Sequence, residues 1–114
     1  MEIWSDEFKG AVTVCDREGV IIYINQYANK QFLKNGGKDL LGTNLLDCHP
    51  EPSRTLVQEL LKSARSNVYT IEKGGIKKLI YQSPWFEDGT YAGLVELSLP
   101  IPKEMPHFVR DKKE

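Results

Sequence analysis

At 114 residues the chain is long enough for one domain that buries about two thirds of the surface its unfolded form exposes. Apolar residues at 40%, charged residues at 27% and a net charge of −1 exclude a disordered chain and leave no basic footprint for nucleic acid. No apolar run approaches the roughly 18 residues that span a bilayer and no signal peptide precedes the first charges, so a cytoplasmic protein with Cys15 and Cys48 as free thiols is expected.

Residues 1–9 place Met1, Trp4 and Phe8 at helical spacing, with Glu2, Ser5, Asp6 and Glu7 on the other side. Such a short amphipathic helix is unstable alone and is expected to cap the outer face of a sheet. Two β-branched runs follow, at 11–15 and 20–24, joined by Asp16-Arg17-Glu18-Gly19. Asp16 and Gly19 bound a four-residue hairpin loop. The run 20–24 is apolar on both faces, which predicts a sheet covered on both sides. Asn25 ends that strand and caps a helix in which Tyr27, Ala28, Gln31 and Phe32 recur.

Lys34-Asn35-Gly36-Gly37 stops the helix. Residues 38–41 give one turn, Gly42-Thr43-Asn44 interrupts, and a short piece at 45–48 ends in His49-Pro50-Glu51-Pro52. From 53 to 65 the periodicity is clear: Leu56, Val57, Leu60, Leu61 and Ala64 make one apolar stripe. Glu51 and Ser53 are both placed to cap it, with Pro52 in its first turn.

Three strands complete the chain, at 67–73, 76–83 and 91–99. Gly74-Gly75 turns between the first two and Asp88-Gly89 between the last two. In the last strand Tyr91, Gly93, Val95, Leu97 and Leu99 share one face and Glu96 and Ser98 the other. Pro100 and Pro102 are expected to end it, leaving a charged tail over 101–114 without a heptad that would carry output as a coiled coil. The start at Met1 and the unpatterned tail read as a complete chain. The fold class expected is α+β: a five-stranded antiparallel sheet with short helices plus one longer helix packed on one face.

That element order, with Asp16-x-x-Gly19-x-Ile21-x-Tyr23-x-Asn25 followed by small and aromatic residues, resembles the PAS domain over about residues 3–99. The body of the domain is then 10–100. The resemblance implies a non-enzymatic sensor module with a ligand between the inner sheet face and the helices. With the apolar stripes it puts Phe32, Leu45, His49, Leu60 and Val95 around an apolar pocket. It also implies a homodimer through Trp4, Phe8 and the outer sheet face, and a separate signalling protein as output partner.

Three sensor chemistries can be set against residues 42–50. Flavin light sensors of this fold carry Gly-x-Asn-Cys; here Gly42-x-Asn44 is followed by Leu45, so a flavin–cysteinyl adduct is not expected. The yellow photoreceptor branch attaches its chromophore to a cysteine further from the glycine than Cys48 is. Haem is the third: His49 could supply an axial imidazole and Cys48 a thiolate, although a lone histidine at a helix junction more often caps or packs there. Cys48-His49-Pro50 resembles a subgroup of bacterial PAS domains with Cys-His-Pro-Pro, some fused to haemerythrin-like domains; here the second proline is Glu51.

Other chemistries find less. Asp47, His49 and Ser53 follow one another too closely for a triad, the paired glycines are turns and not a phosphate loop, and no zinc set is present. Trp85-Phe86 closes the sheet edge, or serves as a pocket lid or partner contact. Two alternatives to the sensor stand beside it. One is an interaction-only module whose core is filled by Tyr23, Phe32, Tyr69 and Tyr81. The other is a small enzyme using Cys48 and His49 as nucleophile and base.

Overall fold

The computed structural model describes residues 3–33 and 36–111, apart from the side chain of Cys48. Met1 and Glu2 of the leading segment, and Lys34-Asn35 of the helix stop, lie outside the described residues. The elements are β1 (Ala11–Asp16), β2 (Ile21–Ile24), α1 (Gln26–Gln31), two 3₁₀ turns (Gly37–Leu40 and Leu45–Cys48), α2 (Ser53–Ser63), β3 (Asn67–Lys73), β4 (Ile76–Glu87) and β5 (Thr90–Ile101). They build one antiparallel sheet in the order β2-β1-β5-β4-β3. The helices pack against one of its faces, the inner face, in the expected α+β arrangement.

The β1–β2 hairpin closes as its residues require. The Asp16 carboxylate accepts the Glu18 and Val20 amides at 3.0 and 2.9 Å, so the side chain replaces a missing strand partner inside the loop. Asn25 then ties three segments together from a fully buried position. Its Oδ1 accepts from the Val12 and Ala28 amides, and its Nδ2 donates to the Ser5 and Gly10 carbonyls. One side chain thus caps α1, holds β1 and pins the leading segment.

That pinning explains a departure from expectation: residues 3–8 form two turns, not a helix. The Phe8 amide donates to Ser5 and that of Asp6 to Ile3, an i to i−3 pattern. The Asp6 carbonyl accepts from the Gln26 amide, so an acceptor that would extend a helix is engaged outside it. The segment covers only part of the outer face: Ile3, Trp4 and Ser5 lie beside Val12, Val14 and Tyr23, while Ile22 remains 49% exposed.

At the other end the strands run longer than expected. Asp88 and Gly89 both have positive φ, as a two-residue mirror-image turn requires, so the strands continue to its edge. Pro84 and Pro100 lie within β4 and β5, where each strand has lost its second neighbour: β3 reaches only to Gln82 and β1 only to Ser98. Missing amides cost little there. α2 stops at Ser63, short of Arg65, because Ala64 turns left-handed. Of the two sequence candidates for its cap, Glu51 serves, accepting from the amide and hydroxyl of Thr55.

Two clusters fill the interior. Cys15, Val57, Leu60, Leu61 and Leu94 pack beneath α2. Ala11, Ile21, Ile24 and Ala28 pack beneath α1. Leu45 touches both and sits at their junction.

Candidate functional site

The junction is built by pairing the segment before Leu45 onto the hairpin. The Gly42 amide donates to Ile21, Ile21 to Thr43, and Leu45 to Gly19 at 2.7 Å. The Asn44 side chain accepts from Leu46 and donates to the Glu18 carbonyl. These bonds give the segment the attachment of an extra edge strand and hold Leu45 over the sheet.

Between the clusters lies a cavity of about 170 Å³ lined by Thr13, Ile21, Ile24, Phe32, Leu40, Leu45 and His49. On the far side of Thr13 and Leu45 a narrow crevice continues toward Cys15, Gln82, Leu94 and Glu96. The His49 ring meets the Leu45 carbonyl through Nδ1 at 2.8 Å. A carbonyl only accepts, so Nδ1 carries the proton in this bond.

Phe32, Leu45 and His49 are therefore brought together, and two expected lining residues are not. Leu60 is 0% exposed inside the α2 cluster and faces neither the cavity nor the crevice. Val95 lies on the opposite side of the sheet, in a groove with Trp4, Val12, Val14, Trp85 and Leu97. The face assignment of β5 was inverted: Leu94 and Glu96 face inward, and Val95 and Leu97 outward. Of the expected interface pair, Trp4 lines the outer groove and is 75% exposed. Phe8 meets it edge-to-face at 5.6 Å but turns toward Tyr27 and Lys30 beside α1.

The inversion exposes what sequence reading missed. Register places Ile24, Thr13, Glu96, Gln82 and Asn67 in one row across all five strands. Four of these are polar, and they lie on the helix-covered face. Asn67 donates to Gln82 at 2.9 Å, and Gln82 to Glu96 at 2.7 Å. Shared polarity at matching positions of three strands was a signal in the sequence, but reading it needed the register. Nearby, burial raises the Cys15 thiol above its usual range, and burial followed by the Glu96 charge raises the Tyr69 phenol.

The fit of haem can be judged by size. A cavity of about 150 Å³ holds benzene, and pockets for drug-sized ligands run to about 300–1,000 Å³. At 170 Å³ this cavity does not fit a haem or a flavin ring, whatever His49 offers an iron. The filled-core alternative fares no better as drawn. Tyr23 bonds Ser5 on the outer side and Tyr69 and Tyr81 are exposed, leaving only Phe32 of the four at the cavity. Among the described residues no group of histidine, cysteine and carboxylate side chains is placed to hold a metal ion, and no helix is long and apolar enough to cross a membrane.

On the outer face, Trp85 reaches across Gly93 of β5 and donates from Nε1 to the Cys15 carbonyl at 3.0 Å. This crossing closes one end of the apolar groove, whose volume is about 480 Å³. Phe86 is exposed and packs on Tyr91.

No protein-family model matches the sequence, and no curated protein matches it. Solved structures do. The Aer2 receptor from Vibrio cholerae, described as a dual PAS–haem oxygen sensor, is 17% identical with a TM-score of 0.60, covering 82% of this chain and 95% of its own. A sensory box sensor histidine kinase from Vibrio cholerae is 19% identical with a TM-score of 0.64, covering 87% and 86%. The PAS domain of BvgS from Bordetella pertussis is also 19% identical at 0.64, covering 87% and 82%.

Proposed function

Because the chain is a domain of PAS fold, we propose that it is a non-enzymatic cytoplasmic sensory module. In this reading the inner cavity takes a small ligand and the outer sheet face passes the signal to a second copy or a separate signalling protein. The observation that carries the reading is the cavity between Phe32, Leu45 and His49, held in place by the pairing of residues 42–45 onto the hairpin. Its size suits a ligand of one ring, not a macrocycle.

The outer face supports the second half. Val14, Val95 and Leu97, each partly exposed, form an apolar surface beside the exposed Trp4, of the kind that marks protein contacts. Native mass spectrometry of fresh protein, repeated under denaturing conditions, tests the first half. A mass excess below that of haem, lost on denaturation and lost from the His49→Ala variant, is expected. A clean apo mass that persists after incubation with small ring compounds would overturn it. Size-exclusion chromatography of Trp4→Glu tests the second half: the homodimer is expected to become a monomer, and an unchanged elution volume would remove the outer face from the interface.

A further inference from the structure

We infer that the open edge of the sheet, strand β3, pairs with the same edge of a second copy of this chain, antiparallel and centred on Thr70. The contact is separate from the cavity and from the outer face, and depends on neither.

The two edges of the sheet differ. At β2 the chain closes its own edge, because residues 42–45 bond to Gly19 and Ile21, and Val20 bridges Asn44. At the other end β3 is the last strand, and among the described residues nothing pairs with its far side. It is seven residues long, holds no proline and runs along β4 without a bulge. The devices that usually blunt a free edge are therefore missing, apart from the charges of Glu72 and Lys73 at its end. Its other large side chains, Val68, Tyr69 and Ile71, are exposed.

The turn fixes which backbone groups are free. Gly74 and Gly75 both have positive φ and make a two-residue loop, so the flanking Lys73 and Ile76 exchange both their bonds. Alternation commits Ile71, Tyr69 and Asn67 to β4 in the same way. The amides and carbonyls of Val68, Thr70 and Glu72 are left pointing away from the sheet. Only one antiparallel register between two copies engages all three. It sets Thr70 opposite Thr70 of the second copy and Val68 opposite Glu72, each pair exchanging two backbone bonds.

The same register suits the side chains. Tyr69 meets Ile71 on the helix-covered side, an aromatic ring against a β-branched residue, and Thr70 meets Thr70 on the other; both are favourable cross-strand pairs. Lys73 falls opposite Asn67 and Glu72 opposite Val68, so no like charges face each other. A net charge of −1 opposes association little. The contact is one narrow strip, which places it with weak and reversible interfaces.

The test uses the full chain carrying Trp4→Glu, which sets aside any contact through the outer face. Sedimentation equilibrium over about a hundredfold range of concentration is expected to show reversible dimers at the upper end. Thr70→Pro removes an amide that serves only this contact and is tolerated in an edge strand. It should weaken dimerisation at least about tenfold while the urea midpoint stays close to that of the parent. Residue 68 tests the register through an exposed side chain. Val68→Lys faces Glu72 and attracts it, whereas Val68→Glu repels it, so the first should dimerise about tenfold more tightly than the second. A chain monomeric throughout the range, dimers that ignore Thr70→Pro, or dimers indifferent to the sign of the charge at 68 would each overturn the pairing. Should Thr70→Pro unfold, the two variants at 68 decide alone.

Discussion

The two faces of the sheet carry the reverse of the usual polarity. The inner face, under helices, presents Thr13, Glu96, Gln82 and Asn67, whereas the outer face, without a helix over it, presents Val12, Val14, Val95 and Leu97. Burial of polar groups is tolerated on the inner side because each of the three outermost members has a partner in the row. The apolar outer side is covered only in part, by Ile3, Trp4 and Ser5 of the leading segment. The difference leaves a hydrogen-bonded polar row under the helices and an apolar groove on the open side.

The most damaging single change should be the one that separates the faces' shared backbone. A Cβ at Gly93 would stand 2.0 Å from the Cys15 carbonyl oxygen and 2.7 Å from the Asp16 carbonyl carbon. Both are backbone atoms and cannot swing aside. Gly93→Ala is expected to cost more than about 4 kcal/mol, read as loss of a cooperative urea transition at ordinary temperature. A near-normal midpoint would mean that β1 and β5 can part without loss of the fold.

Next comes a direct contest between faces. Leu60→Ala empties the α2 cluster and should cost about 2–5 kcal/mol, whereas Val95→Ala on the outer groove should cost about 1 kcal/mol in the monomer. Equal losses would show that the outer face is as well packed as the inner. Trp85→Phe keeps the groove wall but drops the bond to Cys15, for about 1 kcal/mol and a more exposed β1–β5 end in hydrogen exchange.

The smallest effect concerns Cys15. Burial raises its thiol, so the native state keeps a proton that the unfolded state gives up. This contribution is complete below the ordinary thiol range and is lost as pH rises through the native value. Peptide mapping after iodoacetamide treatment should find Cys15 unmodified in native protein near neutral pH and modified in urea; rapid native labelling would show that the α2 side opens easily.

How much was legible beforehand follows from the range of the interactions. The hairpin, the Asn25 cap, the α2 stripe and both two-residue turns depend on neighbours within a few positions, and the sequence shows them. The leading helix failed because Asn25 and Gln26, some twenty positions away, engage the carbonyls of Ser5 and Asp6. Leu60 and Val95 depart from expectation for a related reason: hydrophobicity does not by itself mark the pocket. Here the most apolar stripe of α2 fills a solid cluster, and the apolar side of β5 faces out.

Element order, turns and the α+β class follow from the chain alone, because period and turn chemistry are local properties. Which side of β5 is the inside, which residues close the cavity and where Glu96 stands were decided only by the tertiary structure. Alternation states that two faces differ; it takes the register of β1 and β4 against β5, and the helices laid across one side, to say which face is enclosed.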